Sequence, residues 1–199
     1  ELVVPRAFLP TAERYGLIST LDERAIQLTL SWLSANPGLL DSIRHVSINL
    51  SAGSITDPEF AGKLKDYINK SRVPASKLCF EISETAAIAN LSKVGAFMGE
   101  LAAMGCRFGI DDFGSGLSSF AYLRKLPVEF LKIDGLLIKD ILQDKTDFTL
   151  VKAISDISKS MGKRTVAEFI ESPQLLQAAQ DIGIHFGQGF HLSKPELIS

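Results

Sequence analysis

Cysteine, histidine and tryptophan are scarce in this chain: two, three and one among 199 residues. Cys79 and Cys106 both lie in apolar segments, which predicts small buried thiols rather than a disulfide or a metal pair and fits the cytosol. His45, His185 and His191 show neither the close helical pair of a zinc site nor cysteine partners, so packing or surface roles are expected of them. Basic residues are not in excess. A formal net charge of -2 gives little support to a surface that grips duplex nucleic acid through its phosphates. No apolar run approaches the roughly 18 residues of a membrane span, and no charged-then-apolar leader opens the chain. A water-soluble, cytoplasmic protein is expected, or the cytoplasmic part of a membrane-attached sensor.

Apolar residues are plentiful, at 46%, enough for one full core, so residues 1–199 read as a single domain. The opening ELVVPRAFLP, apolar and bounded by proline, has the character of the middle of a fold. The domain is therefore expected to be incomplete at its N-terminus.

Six strand-length apolar runs recur at 45–51, 77–84, 107–112, 129–134, 164–171 and 184–190. Between most of them, apolar residues return at helical spacing: Phe60, Leu64 and Ile68; Leu91, Val94, Met98 and Leu101; Leu150, Ile154, Ile157 and Met161; Leu175 and Ala179. An earlier helix through Leu21, Ala25, Leu28, Trp32 and Ala35 should stop near Asn36, Pro37 and Gly38. Gly105, Gly162 and Gly183 suit the left-handed position that ends a helix. Strand followed by helix, repeated, predicts an α/β fold with parallel strands and the helices outside them.

Every predicted strand carries a polar residue toward its C-terminal end: Asn49, Glu81, Asp111 with Asp112, Lys132, Glu168 and Gln188. Strand alternation puts Ser47, Asn49 and Ser51 on one side, and Cys79, Glu81 and Ser83 likewise. It puts Asp111 on the side of Gly109, facing inward. A closed parallel barrel would gather such residues at one mouth, whereas an open sheet would spread them along an edge. Four carboxylates in one mouth oppose each other's ionisation. Hard divalent cations such as Mg²⁺ or Mn²⁺ resolve the conflict, and adjacent aspartates can serve two of them. Paired metals suit phosphoester hydrolysis. Lys132 could orient water, neutralise developing charge or pair with a carboxylate. Taken singly, each feature also reads as an ordinary turn or strand end, and Glu84 and Glu171, on the opposite parity, read as rim or loop residues.

The ordered motifs AFLPTAERYGLI, SINLS, FEISET, DDFGSGLSSFAYLRKLPVEFLKID, TVAEFIES and GQGFHLSKP resemble those of the EAL-type cyclic di-GMP phosphodiesterase family along essentially the whole chain. The resemblance implies a modified TIM-type barrel, here without its first two strands, and hydrolysis of cyclic di-GMP to linear pGpG with Mg²⁺ or Mn²⁺, two ions in all. It implies metal ligation by Asn49, Glu81, Asp111, Asp112 and Glu168. Lys132 matches the lysine that acts on the nucleophilic water, and Glu168 belongs with it among the catalytic residues. Gln188, with Asp112, falls on the substrate side, and Glu84 matches the loop glutamate that holds the DDFG segment and dimer contacts. A homodimer and an upstream sensory or GGDEF domain are implied as partners. The Glu-Ala-Leu signature itself lies outside this sequence. Phe169 stands where glycine is frequent, Leu117 where tyrosine is, and Glu129 where aspartate is; all three read as tolerated variation. Two other classes remain open: a noncatalytic cyclic di-GMP receptor, and a protein-interaction scaffold that uses no nucleotide.

Overall fold

The computed structural model describes residues 5–115 and 120–197. Leu117 lies outside them. In chain order the elements are α1 (Pro5–Arg14), α2 (Ile18–Ala35), α3 (Pro37–Ser42), β1 (Val46–Leu50), α4 (Ala52–Thr56), α5 (Phe60–Lys70), β2 (Leu78–Ser83), α6 (Glu84–Ala89), α7 (Leu91–Ala103), β3 (Arg107–Phe113), β4 (Phe130–Ile133), α8 (Gly135–Asp140), α9 (Lys145–Ser160), β5 (Arg164–Ala167), α10 (Pro173–Ile182) and β6 (Phe186–Gly187). Among the described residues no helix is long and apolar enough to cross a membrane. The chain divides into two compact units, residues 5–82 with 89–107, and residues 83–88 with the described part of 108–197.

In the first unit β1 and β2 pair in parallel, with Asn49 directly opposite Glu81. Helix α5 buries the expected Phe60, Leu64 and Ile68. Helix α2 does not bury the expected stripe: Leu28 is exposed, and Ile18, Ile26, Leu30 and Leu33 face the core instead. Asp22 stands in the same helical row and accepts from the Ser51 N–H at 2.8 Å and the Ser54 hydroxyl at 2.7 Å. A charged residue on the core-facing side broke the apolar periodicity that the sequence reading relied on. Pro37, read as a stop, occupies the first turn of α3, where its missing N–H has no cost. Both cysteines are buried thiols.

In the second unit β3, β4, β5 and β6 run parallel in that order. Strands β5 and β6 are shorter than predicted, so Glu168 and Gln188 sit just beyond their ends. Helix α9 buries Val151, Ile154, Ser155 and Ser158, while Leu150 and Ile157 stay exposed. The Ser158 hydroxyl donates to the Ile154 carbonyl at 2.6 Å, so a small side chain satisfied within its own helix takes a place that periodicity assigned to larger apolar groups. The glycines after α7, α9 and α10 all have positive φ: Gly105, Gly162 and Gly183. His185 accepts from the Thr165 N–H at 3.1 Å, a local packing role.

Candidate metal and phosphodiester site

The centre of the second unit is built on an irregularity in β3. Ile110 pairs with Leu131 and Phe113 with Ile133, so Asp111 and Asp112 together stand opposite the single residue Lys132. This is the two-against-one pattern of a β-bulge. Asp112 takes the left-handed conformation, φ 53°, that the extra residue requires, and aspartate tolerates that region better than most side chains. Strict alternation would turn the two aspartates to opposite faces. The bulge instead brings one oxygen from each of Asp111, Asp112 and Glu168 within 4.8 Å of one another.

Lys132 lies among them, 5% exposed. Its Nζ is 2.8 Å from Oδ1 of Asp111 and 2.8 Å from Oε1 of Glu168. Of the three roles open to this lysine, pairing with carboxylates is the one visible in the resting geometry. Asp111 Oδ1 is shielded from solvent and, despite the ion pair, has no hydrogen-bond partner of proper geometry. Burial raises the pKa of Asp112, and the charges of Asp111 and Asp134 raise it further against the pull of Lys132. Burial is also the largest cause raising that of Glu168; its hydrogen bond and charge interaction with Lys132 oppose this, while Asp111 and Asp112 add to it. The cluster carries more negative charge than one lysine can balance, and all its outward donors are oxygens. Such a set fits a hard divalent cation.

On the face that carries Lys132, β4 also presents Phe130. A Cβ on Gly109, directly opposite Phe130, would collide with the phenyl ring. The ring fills space that the glycine leaves open.

Glu84 is 2% exposed and opens α6, so it is no rim residue, whereas Glu171 is exposed as expected. The two oxygens of Glu84 hold the chain on either side of residues 116–119: Oε2 accepts the Gly114 N–H and Oε1 the Tyr122 hydroxyl, both at 3.0 Å. Tyr122 was not singled out from sequence, and its phenol pKa is raised by burial and by the Glu84 charge. Asp134 directly follows the end of β4. It caps α8, accepting the Leu136 N–H at 2.8 Å, and its charge acts on Asp112. The Tyr122 bond to Glu84 and the charge effect of Asp134 on Asp112 have no local signal in the sequence, because the partners are far along the chain, whereas the Asp134 cap is a local feature.

The remaining expected site residues fall as follows. Asn49 and Glu81 are neighbours across β1 and β2 in the first unit, Asn49 exposed and Glu81 buried. Gln188 is exposed, with its N–H donating to Ala167 at 2.8 Å and its carbonyl accepting from Ile170 at 3.0 Å. These bonds place its backbone beside the residues that flank Glu168. Glu129 faces Arg164 at 3.6 Å, which accounts for its acceptance of an acid.

A family model described as "EAL domain" matches residues 1–195. The chain is 37% identical over 200 residues to cyclic di-GMP phosphodiesterase PdeB of Shewanella oneidensis, covering 98% of this chain and 23% of the relative. It is 32% identical over 196 residues to cyclic di-GMP phosphodiesterase PdeF of Escherichia coli, covering 98% and 26%. The chain thus spans about a quarter of the length of these curated relatives. Among solved structures, the PaMucR phosphodiesterase in complex with c-di-GMP matches with a TM-score of 0.89 at 29% identity, covering 97% of this chain and 78% of that one. The FimX EAL domain matches with a TM-score of 0.90 at 27% identity, covering 98% and 78%. The α/β fold is of the TIM-barrel type found in such domains.

Proposed function

We propose that this chain, which belongs to the EAL domain family, hydrolyses one phosphodiester bond of cyclic di-GMP to give linear pGpG. The observation that carries the reading is the cluster of Asp111, Asp112 and Glu168 around the buried Lys132. Its uncompensated charge and the set of oxygen donors favour divalent cations, Mg²⁺ or Mn²⁺, two in number on this reading. Asp111, Asp112 and Glu168 hold them, and the motif resemblance assigns Asn49 and Glu81 to metal binding as well. Bound there, such ions supply Lewis acidity toward water and the phosphoryl oxygens. Lys132 orients the attacking water through a hydrogen bond from Nζ and offsets the charge that develops on the phosphoryl group. Glu84 keeps the turn after Asp112 in place, and Gln188 and Asp112 contact the substrate. The water oxygen bonds to phosphorus as the bond to the 3′ oxygen breaks, and one water proton passes to that oxygen, leaving a 5′-phosphorylated linear dinucleotide.

A cytoplasmic location, a homodimer and an upstream sensory or GGDEF domain belong to the same proposal. The names of the curated relatives support the chemistry, and the complexes with c-di-GMP support the ligand. The deciding experiment incubates the full-length protein with cyclic di-GMP and Mg²⁺ or Mn²⁺ and follows pGpG, with Lys132→Ala and metal-free controls. Product that needs metal and Lys132 is the expected result. Tight nucleotide binding without product would make the protein a receptor, and neither binding nor product would remove the nucleotide from its function.

A further inference from the structure

A concavity of about 610 Å³ opens in the second unit between the end of α9 and the short 3₁₀ helix Phe120–Lys125 that precedes β4. Its volume is in the range of small-molecule pockets. Leu126 and Lys163, which line it, precede β4 and β5, whereas Lys132 and Glu168 stand toward the other ends of those strands. Leu123 and Leu126 are buried at its base and Met161 is half-buried beside them. The flexible thioether lets such a base adapt to apolar bodies of different shape. The charged groups of the lining are Arg124, which is exposed, and the half-buried Lys163, and no aspartate or glutamate is among the described residues that line it. Nζ of Lys163 donates to the Val128 carbonyl at 2.9 Å, which uses one of its three N–H bonds. Burial lowers the pKa of this lysine, so an anion brought beside it would favour its charged form.

An apolar base beside two cations complements a ligand with an apolar body and one anionic end. An apolar cation would meet like charge, and a small inorganic anion would leave the base uncovered. The 3₁₀ helix also reaches the carboxylate cluster. From it Tyr122 donates to Glu84, and Glu84 holds the Gly114 N–H two residues after Asp112. The Phe120 ring packs on Phe113, next to Asp112, with 5.2 Å between centroids. A ligand seated against Leu123 and Arg124 therefore restrains the helix to which the Asp112 segment is tied, and favours the arrangement in which the cluster is assembled.

We infer that this cavity is an effector site that takes a small amphipathic carboxylate and, by holding the 120–125 helix, raises turnover at the carboxylate cluster. The effect on turnover rests on the reading that the substrate is cyclic di-GMP; binding in the cavity does not. The test uses the metal-loaded full-length protein with decanoate as the probe. Calorimetry should show saturable binding with a Kd on the order of 0.1–1 mM, and neither acetate nor decyltrimethylammonium should compete at the same concentrations. Arg124→Glu changes an exposed side chain and should raise that Kd about fivefold or more. Saturating decanoate should raise kcat/KM for cyclic di-GMP about twofold or more, and Arg124→Glu should need correspondingly more of it. Absence of saturable binding, equal binding of acetate or of the cation, or an unchanged Kd in Arg124→Glu overturns the site. Binding that leaves kcat/KM unchanged overturns the effector role while turnover itself upholds the phosphodiesterase reading. A wild-type protein that hydrolyses no nucleotide with or without decanoate overturns that reading and the effector role together, and calorimetry still decides the site.

Discussion

Replacing Lys132 by methionine tests the electrostatic account of the cluster, because it retains most of the side-chain volume and removes the charge. Each of the two 2.8 Å contacts corresponds to a gross attraction of about 6 kcal/mol at an effective dielectric constant of about 20. Desolvation of the lysine cancels much of this, and breaking a buried pair from one side has a net cost of about 3–5 kcal/mol. The loss should depend on pH in a defined direction. Folded-state pKa values of Asp112 and Glu168 are already raised, so these groups favour the folded state in acid and oppose it as pH rises through the raised values. Without Lys132, which lowers both, they rise further. Urea unfolding of the metal-free protein should therefore show a larger penalty at about pH 8 than at about pH 4, because protonation of Asp112 and Glu168 in acid relieves part of it. Mg²⁺ at about a hundredfold its Kd should restore about 2.7 kcal/mol at the higher pH. An equal penalty at both pH values would refute the charge argument and leave only lost packing.

Three further outcomes follow from the same geometry. Asp112→Gly removes a left-handed side chain and one of three crowded carboxylates; the metal-free protein should gain about 1 kcal/mol, seen as a rise in Tm of about 2–4 °C, while divalent-metal affinity falls. A lower Tm would contradict the mutual repulsion assigned to the carboxylate cluster. Gly109→Ala should cost about 1–3 kcal/mol through collision with Phe130, and adding Phe130→Leu should recover more than half of it in urea denaturation; strict additivity would rule out the contact as the cause. Calorimetric titration with Mn²⁺ should show affinity falling on acidification above the usual carboxylate range, because Asp112 and Glu168 must lose protons that burial helps them keep.

The alternation of strand and helix, the left-handed glycines that end α7, α9 and α10, and the acidic strand ends are local properties, fixed by side-chain period and backbone sterics, and so were determined by sequence alone. Motif order carried the family in the same way. Where a neighbouring segment chose between faces, local pattern failed. The stripe of α2 was hidden by Asp22, whose charge is satisfied by Ser51 and Ser54 about thirty residues on. Phe130 could turn toward the Lys132 face only because Gly109 lies across from it. Adjacent Asp111 and Asp112 read as opposite-facing until pairing with β4 inserted one residue too many, and that bulge brought both to the same lysine. Likewise the left-handed Phe169 depends on bonds to the β6 end and on the empty α-carbon of Gly135. Sequence determined which chemical groups the chain has and roughly where along each strand they occur. Tertiary structure decided which of them meet, because register, bulges and close approach depend on contacts between segments far apart in the chain.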